Sequence, residues 1–218
     1  MNNIDLHNIK TAFFIGIEGI GTSGAAKIFM NMGIDVLGSD LNPGEQCEKL
    51  RESGATIFKG HDSNNLPNNI DVVIASAAIK SENVELKEAK KRNIPIVKYS
   101  ELLGMLMARQ EGISIAGTHG KSTTSGMVST LLYNAELDPS FVVGARVRQF
   151  GTNARFGKGK HFVAESCEYD RSFMQLCPKM AIITNIEPDH LDYYKDENEI
   201  ASAFYDFANL IPQDGFLV

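Results

Sequence analysis

The chain has 218 residues, enough for one or two domains and a sizeable buried core. Its formal net charge is -6 and its Lys and Arg residues are scattered, which argues against a general binder of nucleic acids. Its three cysteines are an odd number without zinc-ligand spacing, so we expect reduced thiols. The apolar stretch 11–17 is too short for a bilayer and lacks a signal-peptide pattern, so we expect a cytoplasmic protein without membrane insertion.

Short apolar runs recur along the chain and alternate with helical patterns. Runs that are apolar at successive positions are typical of strands covered on both faces. Such an alternation predicts an α/β protein with mostly parallel sheets. The predicted strands are 12–15, 34–37, 72–75, 113–116, 141–143, 162–164 and 181–184, and residues 215–218 are expected to begin another.

Several segments between these strands have helical character. Residues 23–32 place their apolar side chains on one face, and Gly33 follows where a helix-ending glycine belongs. Residues 81–92 predict a surface helix capped by Ser81, with acids in the first turn and bases in the last. Residues 102–107 predict another. Further helical faces are predicted at Met127, Val128, Leu131, Leu132 and Ala135, and at Ile200, Phe204 and Phe207.

The first glycine-rich loop, GIEGIGTSG at residues 16–24, contains G-x-G-x-x-G as Gly19, Gly21 and Gly24 between a predicted strand and a predicted helix. Glycines let the backbone approach a pyrophosphate, and the helix N-terminus supplies amide donors. Asp40 closes the next predicted strand, where dinucleotide-binding folds place a ribose-binding acid. The loop predicts a nucleotide-diphosphate site, although Glu18 puts a negative charge inside it. The alternative is a glycine turn that only permits close helix packing.

The second glycine-rich loop is GTHGKST at residues 117–123. Aligned with G-x-x-x-x-G-K-[ST], it has Ile115 where the first glycine belongs and offers Gly117 instead. Backbone N–H groups, Lys121 and the Ser122 hydroxyl can still surround phosphates and a magnesium ion. The alternative is a glycine turn with a solvated lysine.

Acidic residues follow two predicted strands, at the sheet edge where open α/β sheets bind ligands. Carboxylate oxygens beside a phosphate loop suggest magnesium. His119, inside the loop, could face a substrate, whereas His7, His61 and His161 are expected to be surface or structural residues. The polar residues are Glu165, Glu168 and Asp170 after one strand, and Asn185, Glu187, Asp189, His190 and Asp192 after the other.

The unit of strand, glycine loop and helix occurs twice, starting at Thr11 and Gly112. The polar, glycine-ended segment ARQEG at 108–112 separates the two copies, so we place a domain boundary near residue 110. Residues 1–109 are expected to form a Rossmann-like parallel-sheet domain that binds a nucleotide diphosphate. Residues 110–218 are expected to form part of a central α/β domain like the P-loop ATPases.

These motifs together resemble the Mur ligases of peptidoglycan synthesis, whose phosphate loop has the same glycine placement. The resemblance implies an amide-forming ligase: ATP phosphorylates the carboxylate of UDP-N-acetylmuramate, and the amine of L-alanine attacks the acyl phosphate. It also implies ATP and Mg²⁺ as cofactors and small molecules as partners. The motifs, in the family's order, are IGIEGIGTSGAA at 15–26, GSDLN at 38–42, IASAAI at 74–79, IAGTHGKSTT at 115–124, GTNARFGKG at 151–159, AESCEYDRSF at 164–173 and TNIEPDHLDYY at 184–194.

The resemblance also implies roles for residues at matching positions. The UDP pyrophosphate would be held by Gly19, Ile20, Gly21, Thr22 and Ser23, with Asp40 and Ser76 nearby. The ATP phosphates would be held by Gly117, Thr118, His119, Gly120, Lys121, Ser122 and Thr123. Magnesium would be bound by Ser122, Glu165 and His190, and the muramoyl substrate would face His119, Asn153 and Arg155. Lys121, Glu165 and His190 would be catalytic. The chain departs from the family at Glu18, where glycine is common, and at Tyr169, where a small residue is usual.

Family members continue through the rest of the central domain and a C-terminal domain that completes the ATP and amino-acid sites. We therefore expect this chain to be an N-terminal portion that is inactive alone. Two alternatives stay open: a non-catalytic protein that binds UDP-sugar or nucleotide, and a related Mur ligase that recycles muropeptides. A third, an NAD-dependent oxidoreductase, rests on the first loop only and leaves the second loop and the acidic residues unexplained.

Overall fold

A computed structural model describes residues 4–190 and 193–218. The chain divides into two compact units, Met1–Leu102 and Leu103–Val218. Helix α4, Tyr99–Met107, continues across that division. The domain boundary near residue 110 stays a prediction. Within the described ranges, no helix is both long and apolar enough to cross a membrane.

The first unit contains a five-stranded sheet in the order β3-β2-β1-β4-β5, and all of its strand pairs are parallel. This confirms the prediction of a parallel α/β unit. The strands are β1 Thr11–Ile15, β2 Asp35–Asp40, β3 Thr56–Lys59, β4 Val72–Ala75 and β5 Ile96–Lys98, and the helices are α1 Ile20–Asn31, α2 Glu45–Glu52 and α3 Val84–Lys91.

The core of the first unit lies on the central strands. Every residue of β1 and β4 is buried, as expected for strands covered on both faces. Phe13, Ile15 and Val73 form a cluster with Leu86 and Ala89 of α3. The central strands therefore anchor the loops that follow β1 and β4.

The second unit contains a six-stranded sheet in the order β11-β10-β6-β9-β7-β8, in which the β7–β8 pair is antiparallel and the others are parallel. Because β6 lies between β9 and β10, the loops that follow these three strands meet at one edge. The strands are β6 Glu111–Ala116, β7 Ser140–Val147, β8 Thr152–Arg155, β9 His161–Glu165, β10 Pro178–Ile183 and β11 Phe216–Leu217, and the helices are α5 Lys121–Asn134 and α6 Glu197–Ala208.

The two helices of the second unit pack differently. Ile200, Phe204 and Phe207 of α6 are buried with Phe173, which confirms the predicted apolar face. The predicted apolar face of α5 is partly wrong. Small residues of α5 are buried against the sheet at Ser125 and Ser129, whereas Met127 and Leu131 are 59% and 65% exposed.

Other differences from the sequence predictions have local causes. Helix α3 begins at Val84, because the Asn83 side chain accepts hydrogen bonds from the N–H groups of Glu85 and Leu86 (2.9 and 3.0 Å), so the predicted Ser81 cap is wrong. The surface assignment of this helix is also wrong in part, since Glu85 is fully buried. Strands β3, β5 and β8 were missed because they are three or four residues long and lack a continuous apolar run.

Candidate functional site

The first glycine loop joins β1 to α1 at the carboxyl edge of the parallel sheet. Gly16 has a φ of +77° and opens the loop, and Gly19 is the residue before the helix. The Thr22 hydroxyl donates to the carbonyl oxygens of Gly16 and Gly19 (2.8 and 3.0 Å), and the Ser23 hydroxyl donates to that of Ile20 (3.1 Å). The two hydroxyls therefore fix the loop's shape. The predicted role of Gly19, Ile20, Gly21, Thr22 and Ser23 in holding the substrate stays a prediction.

Ser76 lies directly beside this loop. It follows β4, the strand next to β1, and its backbone N–H donates to the Ile15 carbonyl oxygen (3.0 Å). A Cβ atom on Gly16 would lie 3.0 Å from the Ser76 Cβ. The loops after β1 and β4 thus line the point where the sheet order changes direction, which is where doubly wound sheets bind ligands.

Asp40 and Glu18 form a second set of contacts at the end of β2. The Asp40 carboxylate accepts hydrogen bonds from the backbone N–H groups of Glu18 and Asn42, each at 3.0 Å. The Glu18 carboxylate accepts three backbone N–H bonds at the start of α2, from Gly44 (2.7 Å), Cys47 (3.0 Å) and Gln46 (3.2 Å). The negative charge within the loop is therefore paired with a helix N-terminus.

Burial opposes ionisation of Glu18. Hydrogen bonds from the Cys47 thiol and from the three backbone donors outweigh it, and the pKa of the Glu18 carboxyl is lowered. Burial, with Glu18 as the next cause, raises the pKa of the Cys47 thiol to about 12. At neutral pH the pair is thus an anionic carboxylate and a neutral thiol.

The second glycine loop joins β6 to α5. Gly117 and Gly120 have φ values of +128° and +84°, a region that disfavours residues with a side chain. A Cβ atom on Gly117 would lie 2.1 Å from the Thr184 hydroxyl. The first glycine of this loop is therefore required by the loop's own geometry, whatever ligand binds.

The segment after β10 braces the second loop. The Thr184 hydroxyl and the Asn185 side-chain amide donate to the His119 carbonyl oxygen (2.6 and 3.1 Å), and the Asn185 side-chain oxygen accepts from the His119 N–H (2.9 Å). The Thr118 hydroxyl exchanges hydrogen bonds with the backbone of Glu187 (3.1 and 2.9 Å). Sequence reasoning missed this supporting role, although the polar residues Thr184 and Asn185 at the end of a predicted strand were the available signal.

Lys121 is held inside the second loop. Its ammonium group donates to the carbonyl oxygens of Gly117 (2.5 Å) and Thr118 (3.1 Å) and pairs with the Glu168 carboxylate at 3.1 Å. The Lys121 side chain is 15% exposed and that of Glu168 only 2%. A buried lysine must be matched by an acceptor of opposite charge, and Glu168 supplies it.

Ser122 and Glu165 form the next contact along the loop. The Ser122 hydroxyl donates to Glu165 Oε1 (3.0 Å), and Glu165 Oε2 accepts from the Gly144 N–H (2.7 Å). The structure thus brings together two of the three predicted magnesium ligands. Thr123, also predicted to contact ATP, is exposed on α5.

His190, the third predicted ligand, lies beside different carboxylates. Its Nε2 is 3.9 Å from Glu168 Oε1 and 4.0 Å from Asp189 Oδ2. One ligand atom from each of these three residues lies within 4.8 Å of the others, a spacing suited to a cation. The His190 ring also contacts the ring of Tyr169, with centroids 4.9 Å apart. Asp192 lies outside the described residues.

The remaining predicted substrate residues have mixed surroundings. His119 has a side chain that is 68% exposed, with Nε2 3.8 Å from a Glu187 carboxylate oxygen. Asn153 is buried in β8. Arg155 forms an ion pair with Asp138, donates to the Pro139 carbonyl oxygen (3.0 Å) and lies over the Tyr133 ring. Arg155 thus ties β8 to the segment that precedes β7, and its predicted substrate contact stays a prediction.

Comparison with known proteins identifies the family to which these two units are similar. Residues 11–111 match the Mur ligase family catalytic domain, and residues 115–218 match the Mur ligase middle domain. The UDP-N-acetylmuramate–L-alanine ligase of Geotalea uraniireducens is 47% identical over 210 residues, which are 96% of this chain and 46% of that protein. The ligase of the same name from Aquifex aeolicus is 43% identical over the same shares. The chain therefore spans about half the length of these curated relatives.

Two solved structures are similar to the present one. The UDP-N-acetylmuramate-alanine ligase of Thermotoga maritima has a TM-score of 0.86 at 30% identity, over 94% of this chain and 48% of that one. The UDP-N-acetylmuramate:L-alanyl-gamma-D-glutamyl-meso-diaminopimelate ligase of Neisseria meningitides has a TM-score of 0.88 at 26% identity, over 96% of this chain and 70% of that one. By two consecutive domain matches that cover nearly all of its length, the chain belongs to the Mur ligase family.

Proposed function

We propose that this chain is the N-terminal portion of an ATP-dependent ligase that joins L-alanine to the carboxylate of UDP-N-acetylmuramate through an acyl phosphate. The names of relatives that are 43% and 47% identical support the substrates. The observation that carries the proposal is the second loop, where Lys121 and Ser122 are each in contact with a carboxylate from the end of β9 or the segment that follows it. A loop of this composition suits phosphoryl transfer, in which positioned charges do most of the catalytic work.

The first unit would bind the UDP moiety. The turn from β1 into α1 points backbone N–H groups of the first helical turn at the carboxyl edge of the sheet, and such a turn attracts a diphosphate. Glu18 does not repel this anion strongly, because its carboxylate is bonded to the start of α2 instead. Asp40 and Ser76 flank the loop from β2 and β4, so the sugar and base would lie along this edge.

The residues around the second loop also fit a magnesium ion. Carboxylate and hydroxyl oxygens are the donors that Mg²⁺ prefers, and the chain offers them at Ser122, Glu165, Glu168 and Asp189, with the His190 nitrogen beside the last two. Bound Mg²⁺ would neutralise phosphate charge. Glu165 and Glu168 would share this work, because Glu165 contacts the loop hydroxyl and Glu168 contacts the loop lysine.

Lys121 would bind the outer phosphates of ATP. In the present structure its three donors are directed at two loop carbonyl oxygens and at Glu168. Phosphate oxygens would replace part of this set, and the ammonium charge would then stabilise the transferring phosphoryl group. Tyr194 supports the arrangement, because its hydroxyl donates to the Glu168 carbonyl oxygen (2.5 Å) and burial raises its pKa to about 12.

A second candidate function is a muropeptide ligase. The Neisseria meningitides ligase that acts on L-alanyl-gamma-D-glutamyl-meso-diaminopimelate has a TM-score of 0.88, although its identity of 26% is lower than that of the alanine ligases. A catalytically inactive UDP-sugar-binding protein is the other alternative. For all three we propose a cytoplasmic location, which suits nucleotide substrates and the free cysteines Cys47, Cys167 and Cys177.

The first test is calorimetric titration of the 218-residue chain with UDP-N-acetylmuramate, with NAD as the control ligand. Binding of the UDP-sugar and not of NAD supports the assignment of the first loop. Binding of NAD alone contradicts it and favours an oxidoreductase.

The second test is Lys121→Ala within the full-length enzyme. ATP-dependent ligation should be abolished, whereas the affinity for UDP-N-acetylmuramate should stay nearly unchanged. Loss of both would contradict two separable nucleotide sites. Comparing L-alanine with the free tripeptide as the amine substrate separates the alanine ligase from the muropeptide ligase, and no ligation with either supports the binding protein.

A further inference from the structure

Tyr99 lies against the first turn of α1, although no motif of the chain includes it. A Cβ atom built on Gly21 would lie 2.7 Å from both the Tyr99 hydroxyl oxygen and Cζ, and 3.0 Å from Cε1. The tip of the phenol thus fills the space that the missing side chain of Gly21 leaves. Gly21 is the second residue of α1, so the phenol is next to the helix N-terminus of the first loop.

The sheet order explains how a residue so distant in sequence reaches this loop. Tyr99 directly follows β5, and β5 pairs with β4, which in turn pairs with β1. All three strands are parallel, so their carboxyl ends lie at one edge. The glycine loop, Ser76 and Tyr99 therefore follow three adjacent strands of the sheet, and the Tyr99 ring reaches the first turn of α1.

The position of the Tyr99 ring is a second reason why residue 21 must be glycine, and the G-x-G-x-x-G pattern does not include it. The pattern attributes its second glycine to close approach of the pyrophosphate to the backbone. In this chain a phenol occupies the neighbouring space. A ligand phosphate on the first turn of α1 must therefore meet the edge of the phenol as well as the backbone.

We propose that the Tyr99 hydroxyl donates a hydrogen bond to a diphosphate oxygen of the ligand held by the first glycine loop. This inference rests on the proposed function and extends that function by naming a side-chain ligand for the diphosphate. A phenol hydroxyl can both donate and accept hydrogen bonds, so it can donate one to a phosphate oxygen whatever contacts it makes in the free protein. Hydrogen bonds to charged groups are stronger than neutral ones, so the hydroxyl contributes measurably to affinity.

The test is Tyr99→Phe in the 218-residue chain, which keeps the ring packed on Gly21 and removes only the hydroxyl. Calorimetry with UDP-N-acetylmuramate should show binding weaker by on the order of tenfold, the loss typical of one hydrogen bond to a charged group. Uridine, which has no phosphate, should bind both proteins equally in an NMR chemical-shift titration. Tyr205→Phe is the matched control, because that ring is 71% exposed on α6 of the other unit.

The outcomes separate this inference from the function on which it rests. If the wild-type chain binds UDP-N-acetylmuramate and Tyr99→Phe binds it equally well, the Tyr99 contact is refuted and the proposed function stands. Tighter binding by the variant would mean that the hydroxyl competes with the phosphate, which also overturns the inference. Equal losses for uridine and the UDP-sugar would indicate a packing role and overturn it too. If the wild-type chain binds no UDP-sugar, both proposals fail.

Discussion

Replacing Glu18 tests whether the charge inside the first glycine loop has a structural purpose. The Glu18 carboxylate accepts hydrogen bonds from the backbone N–H groups of Gly44, Gln46 and Cys47. The backbone N–H of Glu18 donates a hydrogen bond to the Asp40 carboxylate. Glu18 therefore connects the glycine loop to the end of β2 and to the start of α2. We expect Glu18→Gln and Glu18→Ala to destabilise the first unit.

The magnitude follows from what each substitution removes. Loss of a helix cap costs about 1 kcal/mol, and loss of a negative charge at a helix N-terminus costs about 0.3–1 kcal/mol. Glu18→Gln keeps one oxygen acceptor and loses the charge, so we expect a loss of about 1 kcal/mol in the free energy of unfolding. Glu18→Ala leaves three backbone donors and the Cys47 thiol without this acceptor, so about 2 kcal/mol is expected.

The pH dependence has a definite sign. The pKa of the Glu18 carboxyl is lower in the folded chain than in the unfolded chain, because its hydrogen bonds outweigh burial. The unfolded state therefore binds the proton first, and the contribution of Glu18 to stability is complete above the ordinary glutamate pKa of about 4.3. It is lost as the pH falls through the lower, folded-state pKa. The stability of the Glu18→Gln variant should therefore lack the decrease at acidic pH that protonation of Glu18 causes in the wild-type chain.

The assay is urea unfolding followed by far-UV circular dichroism, since the chain has no tryptophan to report by fluorescence. Amide hydrogen exchange at Gln46 and Cys47 should accelerate in both variants. Glu45→Gln is the control, because its carboxylate is in the same helical turn but is 72% exposed and paired with Lys49. Equal losses for Glu18→Gln and Glu45→Gln, or unchanged exchange at the two amides, would refute the capping role.

Three further substitutions have expected outcomes. Gly104→Ala should cost about 3 kcal/mol or more by thermal unfolding, because its Cβ would lie 2.0 Å from the Gln175 carbonyl oxygen; a smaller cost would mean that the backbone moves easily. Glu85→Ala should cost about 3 kcal/mol by urea unfolding, because this fully buried carboxylate accepts from three side chains, and a near-neutral result would contradict the network. Burial lowers the pKa of His161, so protonation favours the unfolded state and wild-type stability should fall as the pH drops below about 6.5. His161→Phe should flatten the melting temperature between pH 7 and 5.5, and an unchanged slope would refute this cause.

The central part of the fold could be predicted from sequence because its signals are local. Strands such as β1 and β4 are buried on both faces and are apolar at every position, so the runs at 12–15 and 72–75 identified them. Strand β3 has no fully buried residue, and its TIFK sequence has no such run. Glu85 was assigned to a solvated helix face because its acceptor role depends on Ser39, His61 and Asn65, which come from other elements. Only the folded chain brings those donors together.

The same distinction between local sequence signals and contacts formed only in the folded chain applies to the two glycine loops. Each loop is a local turn between a strand and a helix, and its glycines and its lysine are readable from spacing. The residues that complete it are selected by sheet order. The loop after β6 receives Glu165 from β9 on one side and Thr184 from the segment after β10 on the other, because β7 and β8 pair outside β9.

In the first unit the equivalent selection brings Ser76 and Tyr99 to the loop after β1, while Glu18 of the loop turns to the start of α2. A motif therefore predicts which chemistry a loop can perform, whereas strand order decides which side chains act with it. Tyr99 lies in no motif and follows β5, the outermost strand on its side of the sheet. The effect of Tyr99→Phe on ligand affinity therefore measures directly what strand order adds to the motif.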